Sequence, residues 1–144
     1  DSDLFNKVTL YSGSLVLIAP KNKSPKNQIF KLSEIKDEPF IKIKNLKTNN
    51  SQNNLDEVLK QQNINVNWVA ETETIQVAKA LVEKGTGYAI IDSLSAGVYG
   101  ENISIHEIEP KIGYKICMIS NKEKPLSVSA KSFISYLEDS VVKI

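Results

Sequence analysis

At 144 residues, with 24% charged and 41% hydrophobic residues, the sequence suits one globular domain or two small lobes, and it is long enough to bury a core. Net charge is +1 and all 18 cations are lysine; arginine, the usual reader of guanine edges and bidentate clamp for phosphate, is missing, so this segment is not expected to bind DNA itself. No apolar run nears the roughly 20 residues that cross a bilayer, and a single cysteine, Cys117, excludes an internal disulfide and a cysteine metal cluster.

The sequence opens on Asp1 and its only methionine is Met118, so we expect a fragment or a processed chain, with any targeting signal out of view. Val8, Leu10 and then Ser14–Ala19 read as extended segments, with Ser12-Gly13 as a turn between them. Pro20 ends the second run and the polar loop KNKSPKN follows. Gln28–Ile35 fits a short helix over Ile29, Phe30, Leu32 and Ile35. Pro39–Lys44 alternates as a strand, Ile41 and Ile43 against Lys42 and Lys44, and Asn45–Ser51 is a polar connector. A helix over about Ser51 to Gln61 carries Leu55, Val58, Leu59 and Gln62 at helical spacing, capped by Asn50 or Ser51 and stopped at Asn63.

The stretch Asn65–Asp92 organises the chain. Val66, Trp68 and Ala70 alternate with Asn67, Val69 and Glu71, the period of a strand. The period then changes. Gln76, Lys79 and Glu83 mark one polar helical stripe, with Val77, Ala78, Leu81 and Val82 opposite. Thr74 is placed to cap this helix and Gly85 to end it in a left-handed turn. Gly87 opens Tyr88–Ile91, an apolar run suited to a strand buried on both faces. Strand–helix–strand order implies a parallel crossover. Its carboxyl-side turn, Glu71–Thr74, falls where open α/β sheets hold ligands, beside free amides and a positive helix dipole.

DSLSAGVYGEN after Ile91 reads as loop, Ile103–Ile108 and Ile112–Ile119 as strands, and Pro125-Leu126-Ser127 as the entry to a last helix. In that helix Ser127 is the cap, and Ala130, Phe133, Ile134, Leu137 and Val141 form the apolar stripe. Strands near both termini thus flank a self-contained central α/β unit, and the flanking lobe reads as incomplete.

Catalysis finds no support in these residues. His106 is the sole histidine and sits in a strand, with no second histidine or cysteine at metal-ligand spacing. Cys117, between Ile116 and Met118, reads as a buried strand thiol packing as a small hydrophobe; a reducing cytoplasm suits it. No nucleophile elbow, phosphate loop or dinucleotide fingerprint occurs, so neither cofactor nor metal is expected and the chain is not expected to be an enzyme. Binding is better supported. Asn49, Asn50, Ser51, Thr72 and Thr74 are short hydrogen-bonding residues at two expected helix starts, where capping alone accounts for any one of them. Two such starts at one sheet edge suit a small anion or carboxylate, and Glu71 or Glu73 suits an amino group of the same ligand. Trp68 reads as core.

Ala80–Ile91 (ALVEKGTGYAII) resembles the LVxxGxGxxxx signature of the effector-binding domain of LysR-type transcriptional regulators. Leu15–Pro20 (LVLIAP), Leu32–Ile41 (LSEIKDEPFI) and Pro125–Leu137 (PLSVSAKSFISYL) are similar to other segments of that domain, in the same order. Glu71-Thr72, Ile91-Asp92 and Pro110–Tyr114 (PKIGY) resemble the branch holding lysine-biosynthesis and opine regulators.

The resemblance implies an α/β fold like type 2 periplasmic binding proteins, with Rossmann-like three-layer subdomains of which the first is incomplete. Residues 1–19 and 97–144 would belong to the first subdomain and 20–96 to the second, with the effector in the cleft between them. It further implies a cytoplasmic homo-oligomer, a dimer or tetramer when full length, that contacts DNA only through an amino-terminal winged helix-turn-helix outside this sequence. No membrane partner is implied. The ligand contacts carried over are Asn45, Asn49, Asn50 and Ser51 in the connector, and Thr72, Glu73, Thr74 and Ile75 in the turn. Relatives often carry an arginine near Ser51–Asn54, where this chain has Gln52, Asn53 and Asn54. The expected ligand is a small polar metabolite, an amino acid or derivative. Rival readings are a periplasmic solute-binding protein of the same fold, which needs a secretion signal, and an enzyme on the same architecture, which needs a catalytic constellation.

Overall fold

The computed structural model describes residues 4–35, 38–44, 55–97 and 102–141. The chain divides into two compact units, one of Asp1–Ser12 with Lys115–Ile144 and one of Gly13–Tyr114. A single long strand, β1 (Phe5–Pro20), enters both. The expected turn at Ser12-Gly13 is therefore corrected: Ser12 and Gly13 are both extended residues of β1.

In the Gly13–Tyr114 unit the elements follow as β2 (Ile29–Lys31), β3 (Pro39–Ile43), α1 (Leu55–Gln61), β4 (Asn67–Thr72), α2 (Ile75–Glu83), β5 (Ala89–Asp92), α3 (Ser93–Ala96) and β6 (Ile103–Glu109). β1 lies between β5 and β6 and is antiparallel to both, while β2 runs parallel to β6. β3 and β4 are parallel neighbours. They join the rest through a parallel bridge from Phe40 to Tyr88, closed by Ile41 N–H to Tyr88 carbonyl and Tyr88 N–H to Pro39 carbonyl, 2.8 Å each. The crossover β4–α2–β5 thus passes over β3, and the carboxyl ends of β3, β4 and β5 share one edge.

Each face of this sheet is covered by a helix, and the alternation of β1 shows it. Leu15, Leu17 and Ala19 belong to a core with Phe40, Tyr88, Ile90 and the α1 residues Leu55 and Leu59. Val16 and Ile18 belong to a second core with Ile41, Ala89, Ile91 and the α2 residues Ala78 and Val82. The apolar run of β5 is buried from both sides, as a strand in a three-layer α/β/α sandwich must be. A continuous apolar run suits that position better than an alternating one.

Local chemistry ends the helices. Gly85 has φ +79°, and Gly85 N–H to Val82 carbonyl (2.8 Å) with Thr86 N–H to Leu81 carbonyl (3.1 Å) closes the end of α2 in a left-handed turn. Asn63, at φ 52°, ends α1 the same way. Gly87 is needed for another reason: a Cβ there would come within 2.5 Å of the Pro39 carbonyl oxygen, the acceptor that ties β3 to Tyr88.

The segment 28–35 is a correction. It forms β2 and then a 3-10 turn over Leu32–Glu34 rather than a helix. Phe30 pairs opposite Ile108, so the sheet's open edge satisfies the backbone, and Phe30, Leu32 and Ile35 bury without helical spacing. The stretch after Ile91 is not all loop either, because Asp92 caps α3 through a 2.7 Å bond from the Ser95 N–H.

The other unit holds the first part of β1, most of β7 (Gly113–Asn121) and α4 (Val128–Val141). β7 pairs with β1. α4 starts as the sequence predicts, with the Ala130 N–H donating to Ser127 Oγ at 3.2 Å. Phe133 of its expected apolar stripe is 61% exposed. Cys117 is half-buried rather than buried, its Sγ 3.7 Å from Thr9 Oγ1.

Candidate functional site

The shared edge of β3, β4 and β5 is the candidate site. Lys44, just past β3, donates its backbone N–H to the Thr72 carbonyl at 2.9 Å and fixes the two strand ends together. The turn into α2 then closes on itself. Thr72 Oγ1 accepts from the Thr74 N–H at 3.2 Å and donates to the Thr74 carbonyl at 3.3 Å. Thr74 Oγ1 accepts from the Val77 N–H at 3.3 Å, the cap expected of it. The next two amides, of Ile75 and Gln76, are first-turn donors without partners inside the helix, and they open on the same edge with the positive end of the α2 dipole.

Charge is arranged around this turn. Glu71 and Lys44 form an ion pair at 2.9 Å. Glu73 is exposed and precedes the cap, where an anion suits the helix dipole. Lys42 sits with its Nζ 5.7 Å from the centre of the Trp68 ring. Trp68 itself is 38% exposed, so its expected core role is corrected. Its ring packs T-shaped against Phe40 at 6.3 Å, and its face carries the Lys42 cation.

The β5 end of the edge is locked by residues that sequence reasoning missed as a group. Asp92 Oδ1 accepts from the Ser95 N–H and from the Tyr114 hydroxyl, the latter at 3.4 Å. Tyr114 in turn accepts from the Leu94 N–H at 3.3 Å, and Lys79 Nζ donates to the Ser95 carbonyl at 3.2 Å. An aspartate directly after an apolar run and before Ser-Leu-Ser is a helix-start signal that could have revealed the cap.

Of the expected contacts, Thr72, Glu73, Thr74 and Ile75 come together in this one turn. Asn45, Asn49, Asn50 and Ser51 lie outside the described residues.

His106 plays a packing role. It is buried in β6, and its Nδ1 lies 2.9 Å from the Asn27 carbonyl, which only accepts, so Nδ1 carries the hydrogen. Nε2 lies 3.0 and 3.1 Å from the Ser24 and Ser104 hydroxyls, and the Ser104 hydroxyl donates to the Ala19 carbonyl at 3.3 Å. Ser24 and Asn27 follow the carboxyl end of antiparallel β1, the end of the sheet away from Thr72. At that end the Tyr88 hydroxyl donates to the Lys23 carbonyl at 2.8 Å, and burial, followed by the Glu38 charge, pushes its pKa above the ordinary phenol value. Among the described residues no cluster of three His, Cys, Asp or Glu side chains could hold a metal, and no helix is long and apolar enough to cross a membrane.

Parallel strands joined by helices on both faces, with a ligand-type edge at their carboxyl ends, define the type 2 periplasmic-binding-protein-like α/β class. Residues 1–141 match the LysR substrate binding domain, and the chain belongs to that family. Comparison with curated proteins by sequence finds no relative. Among solved structures, the CcmR regulatory domain of Synechocystis PCC6803, in complex with 2-PG, is similar with a TM-score of 0.77 at 18% identity, over 98% of this chain and 69% of that one. CbnR, a LysR family transcriptional regulator, has a TM-score of 0.74 at 18% identity, over 96% and 48%. The effector binding domain of QuiR, in complex with shikimate, has a TM-score of 0.73 at 20% identity, over 99% and 68%. The chain therefore spans about half the length of CbnR.

Proposed function

We propose that this chain is effector-sensing sequence of a LysR-type transcriptional regulator, and that it takes a small polar metabolite, an amino acid or derivative, at the carboxyl edge of β3 and β4. The observation that carries the reading is the Thr72–Ile75 turn. Its threonines fix the backbone, its first-turn amides face the edge, and carboxylate and ammonium side chains flank it. Family membership supports a ligand at all, and the connector residues Asn45 and Asn49 to Ser51 complete the proposed contact set. Residues 20–96 supply the second regulatory subdomain in this reading, and 1–19 with 97–144 belong to the first, bounds drawn from the family's organisation. The full-length protein is a cytoplasmic homo-oligomer that reaches DNA through a separate amino-terminal domain.

Regulation then requires that the ligand bind one arrangement of the protein better than another, since equal affinity shifts nothing. The test is an amide chemical-shift titration of the chain against a set of amino acids and their derivatives. We expect saturable shifts at Thr72–Ile75. Saturable shifts that all map to the far end of the sheet, around Ser24 and His106, overturn the assignment.

A further inference from the structure

We infer that Lys44 and Glu71 are the specificity pair of this edge, an ion pair that a zwitterionic ligand divides between its own two charges; the inference rests on the effector-site reading above. Glu71 is the last residue but one of β4, and Lys44 follows β3, whose Ile43 lies in register with Thr72. Both residues are therefore backbone neighbours of the Thr72–Thr74 turn at the carboxyl edge of the two strands. Lys44 starts from a fixed point, because its N–H is bound to the Thr72 carbonyl. Lys42, the cation within β3, sits over the Trp68 ring.

Lys44 Nζ and Glu71 Oε1 are 2.9 Å apart, with side chains 56% and 45% exposed. An exposed pair of this kind contributes little to stability, so parting its members in water costs little. That changes once a ligand settles on the turn and excludes water. A charge left single in a drier place is then unfavourable. A simple anion would engage Lys44 and leave Glu71 without its partner. A simple amine would do the reverse. A molecule carrying a carboxylate and an ammonium on neighbouring atoms satisfies both: its carboxylate meets the Lys44 ammonium and the Ile75 and Gln76 amides, and its ammonium meets the Glu71 carboxylate. The exposed Glu73, two residues on, adds a further negative charge to the turn, which disfavours bare anions.

The test titrates the full 144-residue chain with L-alanine, propionate and ethylamine, which differ in which charge they keep, following backbone amide shifts. We expect L-alanine to shift Thr72–Ile75 saturably and to bind about tenfold more tightly than either analogue, the scale of one charged hydrogen-bonding contact. Lys44→Gln and Glu71→Gln should each weaken L-alanine by about tenfold, and Glu71→Gln should also let propionate bind as well as L-alanine. Because the pair is exposed, both variants keep the fold. Equal binding of L-alanine and either analogue by the unaltered chain overturns the pair. So does undiminished L-alanine binding in both variants; in either case the shifts at Thr72–Ile75 leave the effector site standing. L-alanine shifts confined to other residues, or no saturable shift from any of the three, remove the site reading and the pair with it.

Discussion

β1 offers a comparison within one strand. From Leu15 to Pro20 every residue is buried, whereas from Phe5 to Thr9 every residue is exposed. Both stretches are extended and both carry strand-forming residues, so backbone preference does not separate them. What separates them is cover. Leu15–Pro20 lies between the α1 and α2 cores, and among the described residues every buried hydrophobic falls between Leu15 and Ile112. The other compact unit keeps Phe5, Ile119, Phe133 and Tyr136 between 46% and 70% exposed. Burial is a property of a layer arrangement, and an apolar residue contributes to stability only where a second layer meets it.

The comparison breaks first at Phe40. It is fully buried, meets Tyr88 and Trp68 edge to face at 5.6 and 6.3 Å, and sits at the bridge that joins β3 to β5. Phe40→Ala should cost about 3–5 kcal/mol, the range for aromatic truncation in a core. Urea unfolding measures it, and a cost under about 1 kcal/mol would mean the β3–β5 junction is not packed as described.

Tyr88→Phe keeps the ring but leaves the Lys23 carbonyl without its donor, a loss of about 1 kcal/mol at neutral pH. Its second effect is on alkaline stability. Burial and the Glu38 charge both favour the neutral phenol, so the folded-state pKa stands above the unfolded one. The stability contributed by the neutral phenol is full below the unfolded value, near pH 10, and is lost as pH rises through the folded value. Tyr88→Phe should therefore lose less stability than the unaltered chain between about pH 10 and pH 12. Parallel pH–stability curves would sink this reading.

Thr74→Ala acts on the edge itself. Loss of the cap should cost about 1 kcal/mol of stability, and weaker L-alanine binding should accompany it if the turn holds the ligand. Unchanged affinity with the stability loss intact would leave Thr74 only its helix cap.

How much of this was readable beforehand follows the same logic of cover. The crossover from Asn65 to Asp92 was legible because each step has its own local signal: a run buried on both faces, a capping threonine, a glycine at positive φ. So was the start of α4 at Ser127. Trp68 and Phe133 were misjudged, because a side chain's periodicity gives its face but not whether anything packs on that face. Residues 28–35 misled because Ile29, Leu32 and the three-residue step to Ile35 imitate a helical stripe, whereas Ile29 is half exposed and the open edge of β6 takes Phe30 into a strand. At the candidate site, Thr72 and Thr74 were legible from capping chemistry. The Lys44–Glu71 pair was not, since it joins two strands whose register no sequence pattern prints. The Asp92–Tyr114 lock is likewise a contact between distant segments.

The smallest expected effect sharpens the comparison most. Phe133 is as large and apolar as Phe40, and it lies on the apolar stripe that the sequence assigns to α4. If burial follows cover alone, its 61% exposure makes it energetically idle, and Phe133→Ser should change stability by no more than about 0.5 kcal/mol, the range of ordinary surface substitutions. Helix propensity differs little between the two residues, so it does not mask the result. The measurement is urea unfolding at two protein concentrations. A loss above about 1 kcal/mol at both would show that the ring packs within its own chain. A loss that grows with concentration would instead show that α4 meets its second layer in another copy, because association stabilises by mass action.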